Sequence, residues 1–302
     1  MTLILGIVKE GRLIPEDLWV KFVSGMENGF ENLETNNERA KRNAAEAIIN
    51  AVKKRTVQKF GILFSGGVDS SLIAFVCRQL KCNFTCYTVG IEGSDDIQWA
   101  KRVADEYGFN FKYKILNLDD LEIVLKNVVK ILDDADIVKV SVGSVLYAAG
   151  TLALSDGSNA LFGGLGSEEI FAGYQRHEAA LQNNNFEALH RECWNGLRNM
   201  WERDLARDFA IAKNLGLELR APFLDKELIK TAMSIHPMLK LGKENKKIIL
   251  REAAEFIGLK KEFAWRKKQA AQYGSNFVNG IEKLAKRKGF KFKKDYLQSL
   301  LK

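Results

Sequence analysis

Apolar positions in this chain alternate between two spacings, and each change of spacing marks out an element. Between Arg39 and Lys54, Ala40, Ala44, Ala45, Ile48, Ile49 and Val52 recur at helical intervals and predict a helix. Phe60-Gly61-Ile62-Leu63-Phe64-Ser65 is then apolar and short, predicting a buried strand over 60–65 with a helix over 70–80 behind it. The alternation continues with a strand over Phe84-Thr85-Cys86-Tyr87-Thr88-Val89 and a helix capped by Ser94 or Asp95 that ends near Gly108. A strand over 111–116, helices over 118–132 and 142–155, and a strand from Asn159 that runs into Gly163-Gly164 follow. Strands separated by helices predict an α/β fold with a doubly wound parallel sheet. From about residue 165 onward the pattern is mostly helical. Residues 1–30 fit a short strand pair or an extended arm.

Composition adds little to that picture. The 302 residues are 46% hydrophobic and 28% charged, with three prolines and no linker-like stretch, so one compact unit is expected. Its expected parts are an N-terminal arm over 1–38, a main domain over 39–280 and a basic tail over 281–302. Apolar stretches fall short of a membrane span, and the start lacks a basic segment before its apolar run, so a cytoplasmic protein without signal peptide or membrane contact is expected. Cys77, Cys82, Cys86 and Cys193 form no Cys-x-x-Cys and read as reduced, mostly buried thiols. His177, His190 and His236 are scattered and indicate neither a metal site nor a triad. The net charge is +8, and from Glu282 to Lys302 eight Lys/Arg stand against two acids. That tail reads as a solvated helix face; contact with nucleic acid or an acidic partner is the alternative.

The candidate chemistry begins where the first strand ends. Ser65-Gly66-Gly67-Val68-Asp69-Ser70-Ser71 is a glycine turn between strand and helix, which aims backbone N–H groups at one point and suits an anion. Ser65, Ser70 and Ser71 can donate to phosphate oxygens, and Asp69 can hold magnesium. A Walker loop needs a lysine that this turn lacks. The run resembles instead the PP-motif of ATP pyrophosphatases, which cleave ATP between the α- and β-phosphates. A second turn, Gly164-Leu165-Gly166-Ser167-Glu168-Glu169, presents two adjacent carboxylates. They read either as first-turn helix acids or, with Asp69, as a magnesium site.

Five segments then point to one family. The turn just described and Gly164 to Tyr174 come first. Next is Arg207-Asp208 with Leu215-Gly216-Leu217-Glu218-Leu219-Arg220-Ala221-Pro222-Phe223-Leu224-Asp225. Ile249-Leu250-Arg251-Glu252-Ala253 and Trp265-Arg266-Lys267-Lys268-Gln269 to Gly274 complete the set. In this order they are similar to the ATP-using C-terminal domain of asparagine synthetase B. The resemblance implies an adenine nucleotide α-hydrolase-like fold and an AMP-forming carbon–nitrogen ligase. In such an enzyme a carboxylate, aspartate or similar, attacks the α-phosphorus of Mg-ATP, and an amine, usually ammonia, takes the acyl group. By motif position it implies that Ser65, Gly66, Gly67, Asp69, Ser70 and Ser71 hold pyrophosphate. Leu63, Val89, Gly163 and Gly164 complete the nucleotide site, Asp69 and Glu168 take Mg2+, and Lys268 with Asp69 is catalytic. Arg220 and Asp225 read equally as substrate contacts or as a buried ion-paired turn.

Three departures limit the resemblance. The residues before Phe60 leave no room for the family's N-terminal glutaminase domain, so free ammonia, a separate glutaminase chain or another nucleophile is expected. Leu165 stands where the family has a glutamate that assists the amine step, and a leucine cannot accept a proton. Glu168 replaces an aspartate and is one methylene longer. Two further readings stay open: an RNA-modifying PP-loop enzyme, and a nucleotide-binding regulatory subunit without turnover.

Overall fold

The computed structural model describes residues 8–9, 12–267 and 269–301. Val8–Lys9 (β1) and Arg12–Leu13 (β2) pair antiparallel, and helices Glu16–Ser24 (α1) and Asn37–Lys53 (α2) follow. The α/β part comprises Phe60–Leu63 (β3), Val68–Gln79 (α3), Phe84–Ile91 (β4), Asp95–Tyr107 (α4), Phe111–Leu116 (β5), Leu118–Leu132 (α5), Ile137–Ser155 (α6) and Ala160–Phe162 (β6). Beyond it lie Ser167–Ile170 (α7), Gln175–Ala180 (α8), Phe186–Met200 (α9), a π-helical turn over Trp201–Leu205, and Ala206–Leu215 (α10). Glu218–Arg220 (β7), Lys226–Met233 (α11), Ile248–Ile257 (α12), Lys261–Ala264 (α13), Ala271–Gly274 (α14), Phe277–Arg287 (α15) and Lys293–Ser299 (α16) complete the chain.

The main sheet has five parallel strands in the order β5-β4-β3-β6-β7. The doubly wound parallel sheet expected from the alternation is therefore present. The chain winds outward from β3 through β4 to β5, then returns to the other side of β3 as β6. The strand order reverses between β3 and β6, and the crevice beyond their carboxyl ends is where such sheets bind ligands. Both glycine turns lie there.

Local chemistry explains most of the element ends. Ser94 Oγ accepts from the Ile97 amide (3.3 Å) and starts α4, and Gly108 in the left-handed region ends it. Asp136 Oδ1 accepts from the amides of Val138 and Lys139 (2.9 and 2.8 Å) and starts α6 five residues before the expected 142. Val138, Val140 and Val142 alternate like a strand, so only the cap betrays that first turn. β7 has a single leucine between Glu218 and Arg220, too little period for a strand to be read.

Two apolar cores sandwich the sheet. One contains Trp19, Ile48, Val76 and Phe162, the other Val128, Leu161, Ile281 and Tyr296. Within the stretch expected as an N-terminal arm, the short strand pair is present as β1 and β2, and α1 packs into the main core. Trp19 and Val23, one helical turn apart, are both fully buried, and Trp19 Nε1 donates to the Leu197 carbonyl of α9 (2.8 Å). The boundary expected at 280–281 falls inside α15. There Ile281 and Leu284 are buried, while Lys286 and Arg287 reach Glu282 and Asp119 at 2.8 and 2.6 Å. This is an amphipathic end with a solvated basic face. α6, 19 residues long, is apolar enough to cross a bilayer, contrary to the reading of the apolar stretches. It packs against β4, α5 and α10 instead, as a core helix of the sheet.

Candidate active site

The turn after β3 is held by its own hydroxyls. Ser70 Oγ donates to the Gly67 carbonyl (3.2 Å), the Gly67 amide donates to Ser65 Oγ (3.3 Å), and the two hydroxyls lie 3.4 Å apart. Gly66 has φ +69°, and a β-carbon there would lie 2.7 Å from the Trp99 backbone, so α4 presses directly on the turn. α3 starts at Gly67 without a side-chain cap, which leaves its first-turn amides to an anion.

Asp69, in that first turn, accepts from Lys247 Nζ at 2.9 Å (Oδ1) and 2.7 Å (Oδ2). The same ammonium donates to Ser167 Oγ (2.9 Å) and pairs closely with Glu168. The first turns of α3 and α7 thus face each other across one cation. Lys247 caps α12 in the left-handed conformation (φ 56°), which turns a residue of a basic loop into the interior. Burial works to lower its pKa, but Asp69 and Glu168 outweigh burial and hold it above the ordinary lysine value. Gly173 gives Glu168 its room, since a β-carbon there would sit 1.7 Å from Oε2.

Around this contact opens a cleft of about 640 Å³, bordered by Ser65, Asp69, Ser70, Glu168, Lys247 and Arg266. A second, more apolar cavity of about 260 Å³ lies at the carboxyl ends of β3, β4 and β6. It brings together Leu63, Val89, Gly163 and Gly164, and Leu165 borders both spaces. Among the expected site residues, Gly66 and Ser71 do not line either space. Gly66 lies against α4, and Ser71 is fully buried with its Oγ unpartnered. Lys268 lies outside the described residues. The cysteines and histidines are absent from both linings among the described residues.

The far wall of the cleft is ionic. The π turn between α9 and α10 presents Arg203 and Asp204. Arg203 pairs closely with buried Glu169 and, through Nε, with Asp204 (2.7 Å). Arg207 continues the chain to Asp204 (3.3 Å) and Asp208 (2.7 Å). Arg176 and Arg203 lie over the Tyr174 ring at 4.0 and 5.2 Å. Burial drives the Glu169 carboxyl upward in pKa; Asp204 adds to this and Arg203 opposes it.

Two arginines fasten the later segments to the turn. Arg251 of α12 donates to the carbonyls of Lys246, Ala264 and Arg266 at 2.8, 2.6 and 3.0 Å. Arg266 in turn donates closely to the Ser65 carbonyl and, through Nη2, to Asp96 (2.9 Å). Burial raises the Asp96 carboxyl to about 6 against the pull of Arg266. Asp225 accepts from Arg55 (2.9 Å) and caps α11, while Arg220 donates to the Arg55 carbonyl (2.6 Å) and Glu218 (2.8 Å). The hydrogen bonds of this pair go to the protein itself, although Arg220 also borders the second cavity.

Sequence reasoning missed Lys247, Arg203 and Asp204. Lys243, Lys246 and Lys247 read alike as a solvated basic loop, and only the left-handed backbone distinguishes the last. Trp201-Glu202-Arg203-Asp204 carries no local mark of a π turn. The quoted family segments did flag Tyr174, Arg251 and Arg266, without their roles.

A parallel sheet with a glycine turn and converging carboxylates at its switch point defines a doubly wound α/β protein with a crevice of the ligand-binding kind. The asparagine synthase family model matches residues 43–189 and 182–290, and the chain belongs to that family. It is 34% identical, over 88% of its length, to a putative glutamine-hydrolysing asparagine synthetase 1 of Methanocaldococcus jannaschii, of which it covers 56%. It is 30% identical, over 77% of its length, to a glutamine-hydrolysing asparagine synthetase of Triphysaria versicolor, covering 43% of it. The chain thus spans about half the length of the curated relatives it matches. Among solved structures it is similar to NMN synthetase from Francisella tularensis, at a TM-score of 0.40 and 10% identity over 89% of this chain and 97% of that one.

Proposed function

We propose that this chain activates a carboxylate with magnesium and ATP, releases AMP and pyrophosphate, and passes the acyl group to ammonia or another amine. The observation that carries this reading is the Asp69–Lys247–Glu168 contact at the start of α3, beside the apolar cavity at the strand ends. In this reading the phosphates lie on the turn, with the amides of α3 and the hydroxyls of Ser65 and Ser70 as donors. The base lies among Leu63, Val89, Gly163 and Gly164. Asp69 and Glu168 fit magnesium, since two hard oxygen donors already converge on one cation. Bound there, the ion would neutralise phosphate charge.

The chemistry of the first step then falls to groups of the chain. A substrate carboxylate oxygen attacks the α-phosphorus, the bond to the bridging oxygen breaks, and pyrophosphate leaves on the turn. Lys247 is an ammonium fixed in a buried setting, where preorganised charge stabilises developing charge most. Lys268, by its family position, is assigned the transferring phosphate. In the second step the amine attacks the acyl carbon, AMP leaves, and the amine gives up a proton. Leu165 borders the reaction space and has no atom to take that proton.

The test is the appearance of AMP and pyrophosphate with aspartate and a panel of carboxylic acids, with and without ammonium or glutamine. Formation that depends on both the acid and ATP is expected; its absence across the panel sinks the ligase reading. Leu165 favours a second reading, a nucleotide-binding subunit without turnover. ATP binding intact in the parent, with turnover appearing only in Leu165→Glu, would select it.

A further inference from the structure

α3 runs from the turn after β3 to a cap built by two cysteines. Its last turn closes as a Schellman motif. The Cys82 amide donates to the Cys77 carbonyl (2.9 Å), the Lys81 amide donates to the Arg78 carbonyl (2.9 Å), and Lys81 has φ +57°. In this motif the two residues joined by the outer hydrogen bond commonly also touch through their side chains. Here those positions are Cys77 and Cys82, both free thiols. Cys77 is fully buried, while Cys82 is partly open to solvent. Cys86, paired with Ile62 across β4 and β3, is buried nearby. Three of the four cysteines therefore gather at the end of the sheet opposite the cleft, where the proposed ligase reaction has no use for them.

We propose that Cys82 and Cys77 form a dithiol site for hydroperoxides, with Cys82 as the attacking sulfur and Cys77 as the resolving one, closing to a disulfide across the cap of α3. The neighbouring Cys77 thiol lowers the Cys82 thiol to about 7 against its partial burial, which favours the thiolate that attacks. The same proximity, with burial, pushes the Cys77 thiol upward and leaves it inert to outside reagents. In the first step the Cys82 thiolate attacks a peroxide oxygen. The S–O bond forms, the O–O bond breaks, and the departing oxygen takes a proton to leave as water or an alcohol. In the second, Cys77 attacks the Cys82 sulfur and displaces hydroxide, which takes the Cys77 proton and leaves as water. Two thiols lose two electrons, and the peroxide gains them.

The test treats the full chain with stoichiometric hydrogen peroxide, counts thiols, and maps disulfide-linked peptides by mass spectrometry. The expected result is loss of two thiols, recovered by dithiothreitol, and a Cys77–Cys82 cross-link. Cys82→Ser should lose no thiols under the same treatment. Cys77→Ala should instead hold Cys82 as a sulfenic acid trapped by dimedone, formed more slowly and at higher pH than in the parent because the thiol that lowers Cys82 is gone. Both variants should unfold near the parent temperature if the fold is kept. A Cys82–Cys86 or intermolecular cross-link, accumulation of sulfinic acid at Cys82 in the parent, or four unchanged thiols would each overturn the proposal.

Discussion

Lys240 and Lys247 are both fully buried, yet their surroundings give them opposite chemistry. Lys247 lies between carboxylates, whereas the nearest partner of Lys240 Nζ is the Met233 sulfur at 3.8 Å. Burial lowers the Lys240 ammonium to about 8. Because the folded value lies below the unfolded 10.5, the unfolded chain binds more protons between these two values, and this residue's contribution to stability rises with pH through that window. Lys240→Met should therefore stabilise the protein by roughly 2–3 kcal/mol at pH 7, with the gain fading toward pH 10. Urea unfolding at both pH values measures it. Asp96 makes the complementary case for activity. Its carboxyl, raised to about 6, is ionised at neutral pH and anchors Arg266, which holds the Ser65 carbonyl of the turn after β3. As pH falls through 6 the anchor is lost, so KM for ATP should rise. Asp96→Asn should show a raised KM at pH 7.5 and little further change on acidification, read from pyrophosphate release.

At the scale of elements, the site is assembled by arginines that bind backbone carbonyls. Arg251 gathers Lys246, Ala264 and Arg266 on one guanidinium. Arg251→Ala should cost roughly 2–4 kcal/mol in stability, from the carbonyls left in a buried setting. It should also raise KM for ATP about tenfold as Arg266 loses its support, in the range expected when a positioning group is removed. Calorimetry and initial rates check the two parts. Elements that carry their own signal were legible from the sequence: α4 has its Ser94 cap and Gly108 stop, and β4 and β5 have uninterrupted strand patterns. α1 was not legible, because Trp19 and Val23 give a short amphipathic face that acquires meaning only against α9. β7 and the π turn were hidden for a related reason, since tertiary pairing selects them and local pattern does not. The candidate site divides in the same way. The glycine turns and carboxylates show in the chain as strings, whereas Lys247 acts through a backbone conformation and Arg203 through a helix irregularity.

Over the whole molecule, the sheet is closed on one side by residues remote from the cleft. Trp19 packs into the core that includes α9, and α9 leads into the π turn that forms the ionic wall. Trp19→Ala should cost about 3–5 kcal/mol and should lower the unfolding temperature measured in the presence and absence of ATP alike. Loss of stability without loss of cooperativity is the expected result, because α1 belongs to the main core; a separate early transition would show α1 to be an independent appendage. The π turn sets a further condition on how this chain can change. A wide turn holds one residue more than regular α geometry requires, so it behaves as an insertion fixed within a helix. Removing one residue from Trp201–Leu205 would let α9 and α10 run on as one regular helix. Positions beyond Leu205 would keep their faces, but Arg203 and Asp204 would lose the wide turn that brings them to Glu169 and to each other, and the row of alternating charge would break there. The wall therefore depends on the number of residues in that turn as well as on their identity. Substitutions can tune it one side chain at a time, but a single-residue deletion should abolish it in one step.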